Sequence, residues 1–384
     1  MTSVNPADVL GFSRLVIDGT AGMAGVIEAM HQTIAGSSYG GMVSAAYAPV
    51  RAIVKLVGHS MDSVIAPLVE MAGETKTSAQ REAMLAVVNG ILGDHLAATE
   101  NPLAISMRLR RSGRPLRLRR RDLKAAIVRP SGNVLVLVHG LCMNDLQWTR
   151  RDRDHASALA EELGWTPVYL HYNSGLHISC NGRSFAALME TLLRHWPVPV
   201  REVAIIGHSS GGLVSRSAYH YGKAAGHHWP RCVRKLVFLG TPHHGSAVER
   251  IGNLVNVGLG LSRYSAPLAR IGSIRSAGIT DLRHGYLLDE DWRGKDRFRH
   301  SHNLRRPLPL PKHVRCFAIA ATLGRNQVIG DGLVSVDSAL GRHHDPRFAL
   351  AFAARHQWVG HGLGHWDLLD HPNVYQRIRK WLLT

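Results

Sequence analysis

The sequence predicts an α/β protein with a mostly parallel sheet covered by helices on both faces. Three observations carry this expectation. After residue 130, short apolar runs alternate with helical stretches, the order that builds parallel sheets. Val134–Val138 is an unbroken run of valine and leucine, as a strand buried on both faces requires. Finally, Val203-Ala-Ile-Ile-Gly-His-Ser-Ser-Gly-Gly212 reads as strand, tight turn and helix.

Residues 1–104 read as an N-terminal helical region. Met23, Val26, Ile27, Met30 and Ile34 keep helical spacing, as do Val50, Val54, Val57, Met61, Ile65 and Leu68, and then Met84, Val87, Val88, Ile91 and Leu92. Such stripes most simply pack against the main domain; the sharper alternative is a membrane-docking surface. From Ile105 the pattern becomes alternation, with leucines 109, 116 and 118 set among arginines around Ser112-Gly113, which predicts a β-hairpin with one basic face. Arg108 to Arg129 holds ten Lys/Arg and one acid, Asp122. A solvated strand face is the plain reading and contact with anionic lipid the next. Nucleic acid is not expected, because no aromatic residue interrupts the run to stack a base.

The remaining elements follow in order. Asp154–Leu163 is helical up to Gly164, Pro167–His171 is a strand, and Phe185–His195 is a helix. Val203–Ile206 is a strand feeding a helix from Leu213 that closes at Gly226; Lys235–Leu239 and Cys316–Ala321 are further strands. Residues 246–311 are too long for a plain loop and read as an inserted cap or lid. A last helix has Pro372 near its start and Val374, Ile378, Trp381 and Leu382 as its inner face. With 384 residues, the chain suits an N-terminal region, 1–104, and a main domain, 105–384.

The composition is ordinary for a globular protein, 45% apolar and 19% charged, but the balance of 46 Lys+Arg against 28 Asp+Glu gives +18. Such a surface favours anionic partners. Cys142, Cys180, Cys232 and Cys316 form no C-x-x-C pair, and reduced thiols with no metal site are expected. The N-terminus shows no secretory signal, and Gly40 to Val57, the most apolar long stretch, is broken by Pro49, Arg51 and Lys55. The expected location is cytoplasmic, with peripheral membrane contact as its variant.

Gly207-His-Ser-Ser-Gly211 has the G-x-S-x-G pattern of a nucleophile elbow with Ser209 at its tip. The turn strains the serine, and close passage of helix and strand leaves no room for side chains at Gly207 and Gly211. Acyl transfer by a serine also needs a base, a carboxylate to orient it, and donors for the oxyanion. In a parallel sheet these belong on loops at the carboxyl ends of strands. Val138-His139-Gly140-Leu141 offers the Leu141 N–H, and Ser210 at the helix start offers the second. Gly330-Asp331-Gly332 presents a carboxylate; Asp337 is the rival, more simply read as a helix start. Gly360-His361-Gly362-Leu363-Gly364-His365 offers two histidines that glycine spacing alone does not separate.

Together VLVLVHGL (134–141), GHSSGG (207–212), LGTPHHGS (239–246), DGLVSV (331–336) and GHWDLL (364–369) resemble the α/β-hydrolase superfamily, in its bacterial lipase and esterase branch and the related GPI-inositol-deacylase-like hydrolases. The resemblance covers about residues 105–384. It implies the chain order Ser, Asp, His, and so Ser209, Asp331 and His365 as triad with Leu141 and Ser210 as oxyanion positions. Some lipases of this type bind a structural calcium near the histidine; Asp367 matches one ligand and no second is evident, so no metal and no cofactor are expected. The implied activity is carboxylic ester hydrolysis through an acyl-enzyme. A lipid acyltransferase with the same triad, and an inactive membrane-associated binding protein on this scaffold, are the alternatives.

Overall fold

Strand β3, Asn133–Val138, divides the molecule into its layers. Side chains alternate across a strand, so Val134, Val136 and Val138 join one buried cluster while Leu135 and Leu137 join the other. The computed structural model describes residues 8, 10, 11, 14, 15, 79–246, 275–297, 303, 305–324 and 330–384. The stripes expected at 23–34 and 50–68 lie outside the described residues, as do 247–274 of the expected cap.

The described strands form one eight-stranded sheet in the order β2-β1-β4-β3-β5-β6-β7-β8. Besides β3 these are β1 (Arg108–Arg111), β2 (Arg114–Pro115), β4 (Thr166–His171), β5 (Glu202–His208), β6 (Val233–Leu239), β7 (Arg315–Thr322) and β8 (Gln357–His361). From β4 to β8 every pairing is parallel; β1 runs antiparallel to both β2 and β4. β8 was not foreseen, because Trp358-Val-Gly-His is a short run that sequence alone merges with the glycine-rich loop behind it. The hairpin forms where expected: Ser112 and Gly113 have φ of 50° and 71°, the two positive values a type I′ turn demands.

Helices α1 (Ala79–Ala98), α2 (Arg120–Ala126), α3 (His155–Leu163), α4 (Ile178–Arg194), α5 (Ser210–Ala224), α6 (Trp229–Cys232), α7 (Ala277–Asp281), α8 (Asp289–Trp292), α9 (Val336–Ala339) and α10 (Pro372–Leu383) accompany the sheet, with 3₁₀ turns at Asp145–Trp148, Ala354–His356 and His365–Leu369. One sheet face is covered by α4 and α5 through Phe185, Met189, Leu192, Leu213 and Val214. The other is covered by α3 and α10 through Leu159, Val374, Ile378, Trp381 and Leu382, the inner face expected of the last helix. Each large side chain so buried contributes about 1.5–3 kcal/mol. Asp154 caps α3 and Gly164, at φ 68°, ends it. α4 begins seven residues before the expected Phe185, and α9 is capped by Ser335 rather than begun at Asp337.

Helix α1 departs from its expected orientation. Met84, Val87 and Ile91 are exposed at 44%, 44% and 38%, while Leu85, Ala86 and Leu96 are buried. Val88 and Leu92 of the same stripe do pack on the cluster of Leu85, Leu96 and Leu103, and the rest of the contact is made by small and polar residues. A Cβ on Gly90 would lie 2.3 Å from Cys142 Sγ, and one on Gly93 1.9 Å from Asn173 Oδ1. Asn89 Nδ2 donates to the Leu85 and Leu103 carbonyls while its Oδ1 accepts from Ile105 N–H. α1 therefore rests on the loops after β3 and β4. Arg110 inside the basic run is likewise not a surface residue. It is 7% exposed and pairs with Glu82 of α1 at 2.9 Å and Asp145 at 3.0 Å, so strand and helix share one buried ion cluster.

Candidate active site

The elbow has the geometry its glycines call for. Ser209 sits between β5 and α5 at φ 52°, ψ −129°, a strained conformation for a residue with a side chain. A Cβ on Gly207 would meet Gly212 Cα at 2.6 Å, where α5 crosses its own strand. Gly211 is excluded for a different reason from the one expected: its Cβ would meet Val138 O at 2.2 Å, on the neighbouring β3. Ser209 N–H donates to the Leu239 carbonyl at 2.8 Å, which fixes the turn against β6.

At the carboxyl ends of β7 and β8, Asp331 and His365 meet. His365 Nδ1 lies 2.7 Å from Asp331 Oδ2, and both residues are buried. A carboxylate only accepts, so Nδ1 carries the proton in the neutral tautomer and the lone pair of that tautomer is on Nε2. The Asp331 carboxylate is itself held: Oδ1 accepts from the Leu333 and Val334 amides at 3.0 and 2.8 Å. His365 N–H donates to the Asp331 carbonyl, tying the two loops by backbone as well. The rivals are elsewhere. His361 ends β8 as an exposed residue, and Asp337 is an exposed partner of Arg342.

Two residues not singled out in the sequence complete the cradle. Gly240, the glycine of Leu-Gly-Thr-Pro, has φ 55°, and a Cβ there would lie 3.1 Å from both Asp331 Oδ2 and His365 Cε1. The quoted motif contained it, but its contact partners lie some ninety residues or more downstream, out of reach of a local pattern. His208, buried beside the elbow, donates from Nε2 to the His365 carbonyl at 3.2 Å, and its ring packs on the His365 ring at 4.7 Å. Burial, then the neighbouring His365, holds its basicity well below the ordinary imidazole range, so it positions His365 as a neutral ring.

Leu141 lies in the turn after β3, shaped by Cys142 at φ 59°. Its amide donates to no acceptor among the described residues. Ser210 opens α5, so its amide has no acceptor within the helix. The turn is braced from behind: Tyr172 Oη donates to the His139 carbonyl at 2.7 Å and its ring stacks on His139 at 4.3 Å. Asp367 accepts from Gly364 N–H and faces Arg151, and no group of three or more metal-ligating side chains occurs among the described residues.

Residues 184–306, which contain the elbow, match the model of the PGAP1-like alpha/beta domain family. The chain has the α/β-hydrolase fold. Its sheet, with an antiparallel strand near one edge and the serine turn leaving a central parallel strand, is the superfamily's architecture. Among solved structures, a Bacillus licheniformis lipase in mature form is 19% identical over 67% of this chain and 95% of its own, with a TM-score of 0.43. Aspergillus fumigatus lipase B is 12% identical over 91% of this chain and 83% of its own, at 0.39. A Legionella pneumophila phospholipase is 15% identical over 54% of this chain and 44% of its own, at 0.34. No curated protein sequence matches the chain.

Proposed function

We propose that the protein is a serine hydrolase that cleaves carboxylic esters through an acyl-enzyme. The observation that carries this reading is the 2.7 Å bond between His365 Nδ1 and Asp331, which leaves His365 Nε2 as a base, combined with a serine strained onto an elbow tip. His365 takes the Ser209 proton as Oγ attacks the ester carbonyl. The Leu141 and Ser210 amides hold the resulting oxyanion, and losing one such donor typically costs about 3–4 kcal/mol of transition-state stabilisation. As the C–O bond to the alcohol breaks, His365 returns the proton to the leaving oxygen. Water, deprotonated by the same imidazole, then attacks the acyl-enzyme and frees the acid and Ser209.

The test is labelling by a fluorophosphonate probe together with turnover of a chain-length series of p-nitrophenyl esters. Ser209 should be labelled and Ser209→Ala should be neither labelled nor active. Labelling that survives this change, or that maps to Ser210, sinks the assignment, and an unlabelled, inactive wild type is the result expected of a binding protein. Product analysis with added glycerol separates hydrolysis from acyl transfer: free acid as the main product is the expected outcome.

The substrate is met, on this reading, at a lipid surface. Support comes from the exposed Met84, Val87 and Ile91 on α1, whose backbone abuts Cys142 beside the proposed oxyanion turn, and from the exposed Arg114 and Arg117 at the β1–β2 hairpin, whose Arg110 is buried. No helix among the described residues is long and apolar enough to cross a membrane. Each basic residue near an anionic surface contributes about 1 kcal/mol. Cosedimentation should therefore rise with phosphatidylglycerol content and fall with salt; equal binding to neutral vesicles would remove the charge from the argument.

A further inference from the structure

A cavity of about 300 Å³ opens between α5 and the segment 308–313 that leads into β7. Its walls are apolar, with Tyr219, Leu308 and Pro309, and its polar groups include Arg216, Lys223 and Lys312; no Asp or Glu lines it. Arg216 is the unusual residue. Its side chain is buried, with 6% of the residue exposed, yet no carboxylate among the described residues pairs with it. One guanidinium nitrogen contacts His243 Nδ1 at 3.2 Å, and the other terminal nitrogen donates to the Leu308 carbonyl. Neither partner carries compensating charge. Burial, then the Arg216 charge itself, holds His243 well below its ordinary range, so it is neutral.

The surroundings deepen the imbalance. Burial and then Arg305 push the Arg216 guanidinium down to about 9, which leaves it charged at neutral pH. The acidic group that acts on it is the Cys316 thiol, which burial raises to about 12 and so keeps neutral. Glu290 acts on His220 at the cavity but is paired with Arg306. A buried charge without a counter-ion is costly, and native proteins neutralise or pair such groups. Here the charge is kept and the cavity stands open beside it.

We propose that this cavity binds an anion carried on an apolar stem, its head drawn by Arg216 and flanked by Lys223 and Lys312, its stem laid on the Leu308–Pro309 wall. A bare anion leaves those apolar walls wet, and a neutral amphiphile leaves Arg216 uncompensated. At about 30 Å³ per water the volume holds roughly ten waters, matching the stem of a medium-chain carboxylate.

Calorimetric titration of the full chain with decanoate, decanol and inorganic phosphate tests this. Decanoate should bind, and Lys223→Ala combined with Lys312→Ala should weaken it at least about tenfold, since both lysines are exposed and removable without disturbing the core. Decanol and phosphate should each bind at least about tenfold more weakly than decanoate. Arg216→Met should abolish the site; if that variant fails to fold, the double lysine variant carries the test alone. Unchanged decanoate affinity in the double variant overturns the proposal, because decanoate is then held elsewhere, such as beside Ser209. Decanol binding as tightly as decanoate overturns charge recognition, and phosphate doing so overturns the apolar stem.

Discussion

Gly240 shows how little room surrounds the Asp331–His365 pair. Its φ of 55°, with a Cβ 2.8 Å from Leu368 Cδ1 and 3.1 Å from both partners, means that alanine must distort the backbone or press on Leu368 and the pair. Gly240→Ala is expected to lower kcat for ester hydrolysis by about 10²-fold, the scale of a 1 Å misplacement of catalytic groups. Gly226→Ala is the control: φ is 69° but nothing lies within 4 Å of the Cβ, so stability alone should fall, by about 1 kcal/mol. Equal activities in the two variants would mean that the pair tolerates displacement. For the histidines, His365→Ala should cost about 10⁴ to 10⁶ in kcat and His361→Ala far less, measured on one p-nitrophenyl ester. Ser209 and Asp331 were legible in sequence because glycines at fixed offsets mark a strained turn and a looped carboxylate. Glycine spacing did not choose between His361 and His365, and only the family resemblance pointed to His365; the register of β8 leaves the first exposed while the second reaches Asp331.

At the scale of elements, α1 carries the lesson. Of its expected stripe, Val88 and Leu92 face the apolar cluster while Met84, Val87 and Ile91 stay exposed, and the face against the β3 and β4 loops holds Asn89, Gly90 and Gly93. Hydrophobic periodicity reports which face avoids water only when contacts are made by large side chains; here backbone meets backbone. The strands were easier to read, since β3 and β5 are buried on both faces and leave continuous apolar runs. Two opposing magnitudes make Gly93→Ala informative. Helix propensity alone favours alanine by about 1 kcal/mol. Overpacking against Asn173 opposes it by about 1–3 kcal/mol, and moving Asn173 would also disturb its Nδ2 bond to the Gly93 carbonyl. The urea midpoint is expected to fall, not rise. Arg110→Met, which removes the guanidinium that pairs with buried Glu82 and Asp145, should cost about 3–5 kcal/mol by the same measurement.

For the molecule as a whole, the buried histidines set a pH limit. Burial pushes His139 and His244 down to about 3 and His155 down to about 4, and holds His208 and His243 well below their ordinary range. In the unfolded chain the same imidazoles take up protons near pH 6.5. Above that value both states are neutral and nothing is lost. As pH falls from about 6.5 toward 4 the unfolded chain binds more protons than the native one, so stability declines. Each such histidine removes about 1.4 kcal/mol per pH unit across that window. Urea midpoints should therefore be level from pH 8 to 7 and fall steeply between 6 and 5; a level profile to pH 5 would mean that these rings are protonated in the native state.

The sheet order has a consequence for how the chain reaches its native state. β3 to β6 are laid down by successive strand–helix units, each finding its partner after a short excursion. β7 joins β6 only after the whole stretch from Leu239 to Arg315 has been traversed, and closing so long a loop is slow. Until it closes, the outer edge of β6 presents a row of unpaired amides and carbonyls on a strand of Leu236, Val237, Phe238 and Leu239, an open template for another chain. Refolding yield should accordingly depend on protein concentration during this interval, and a chaperone that shields one strand edge would recover what dilution recovers.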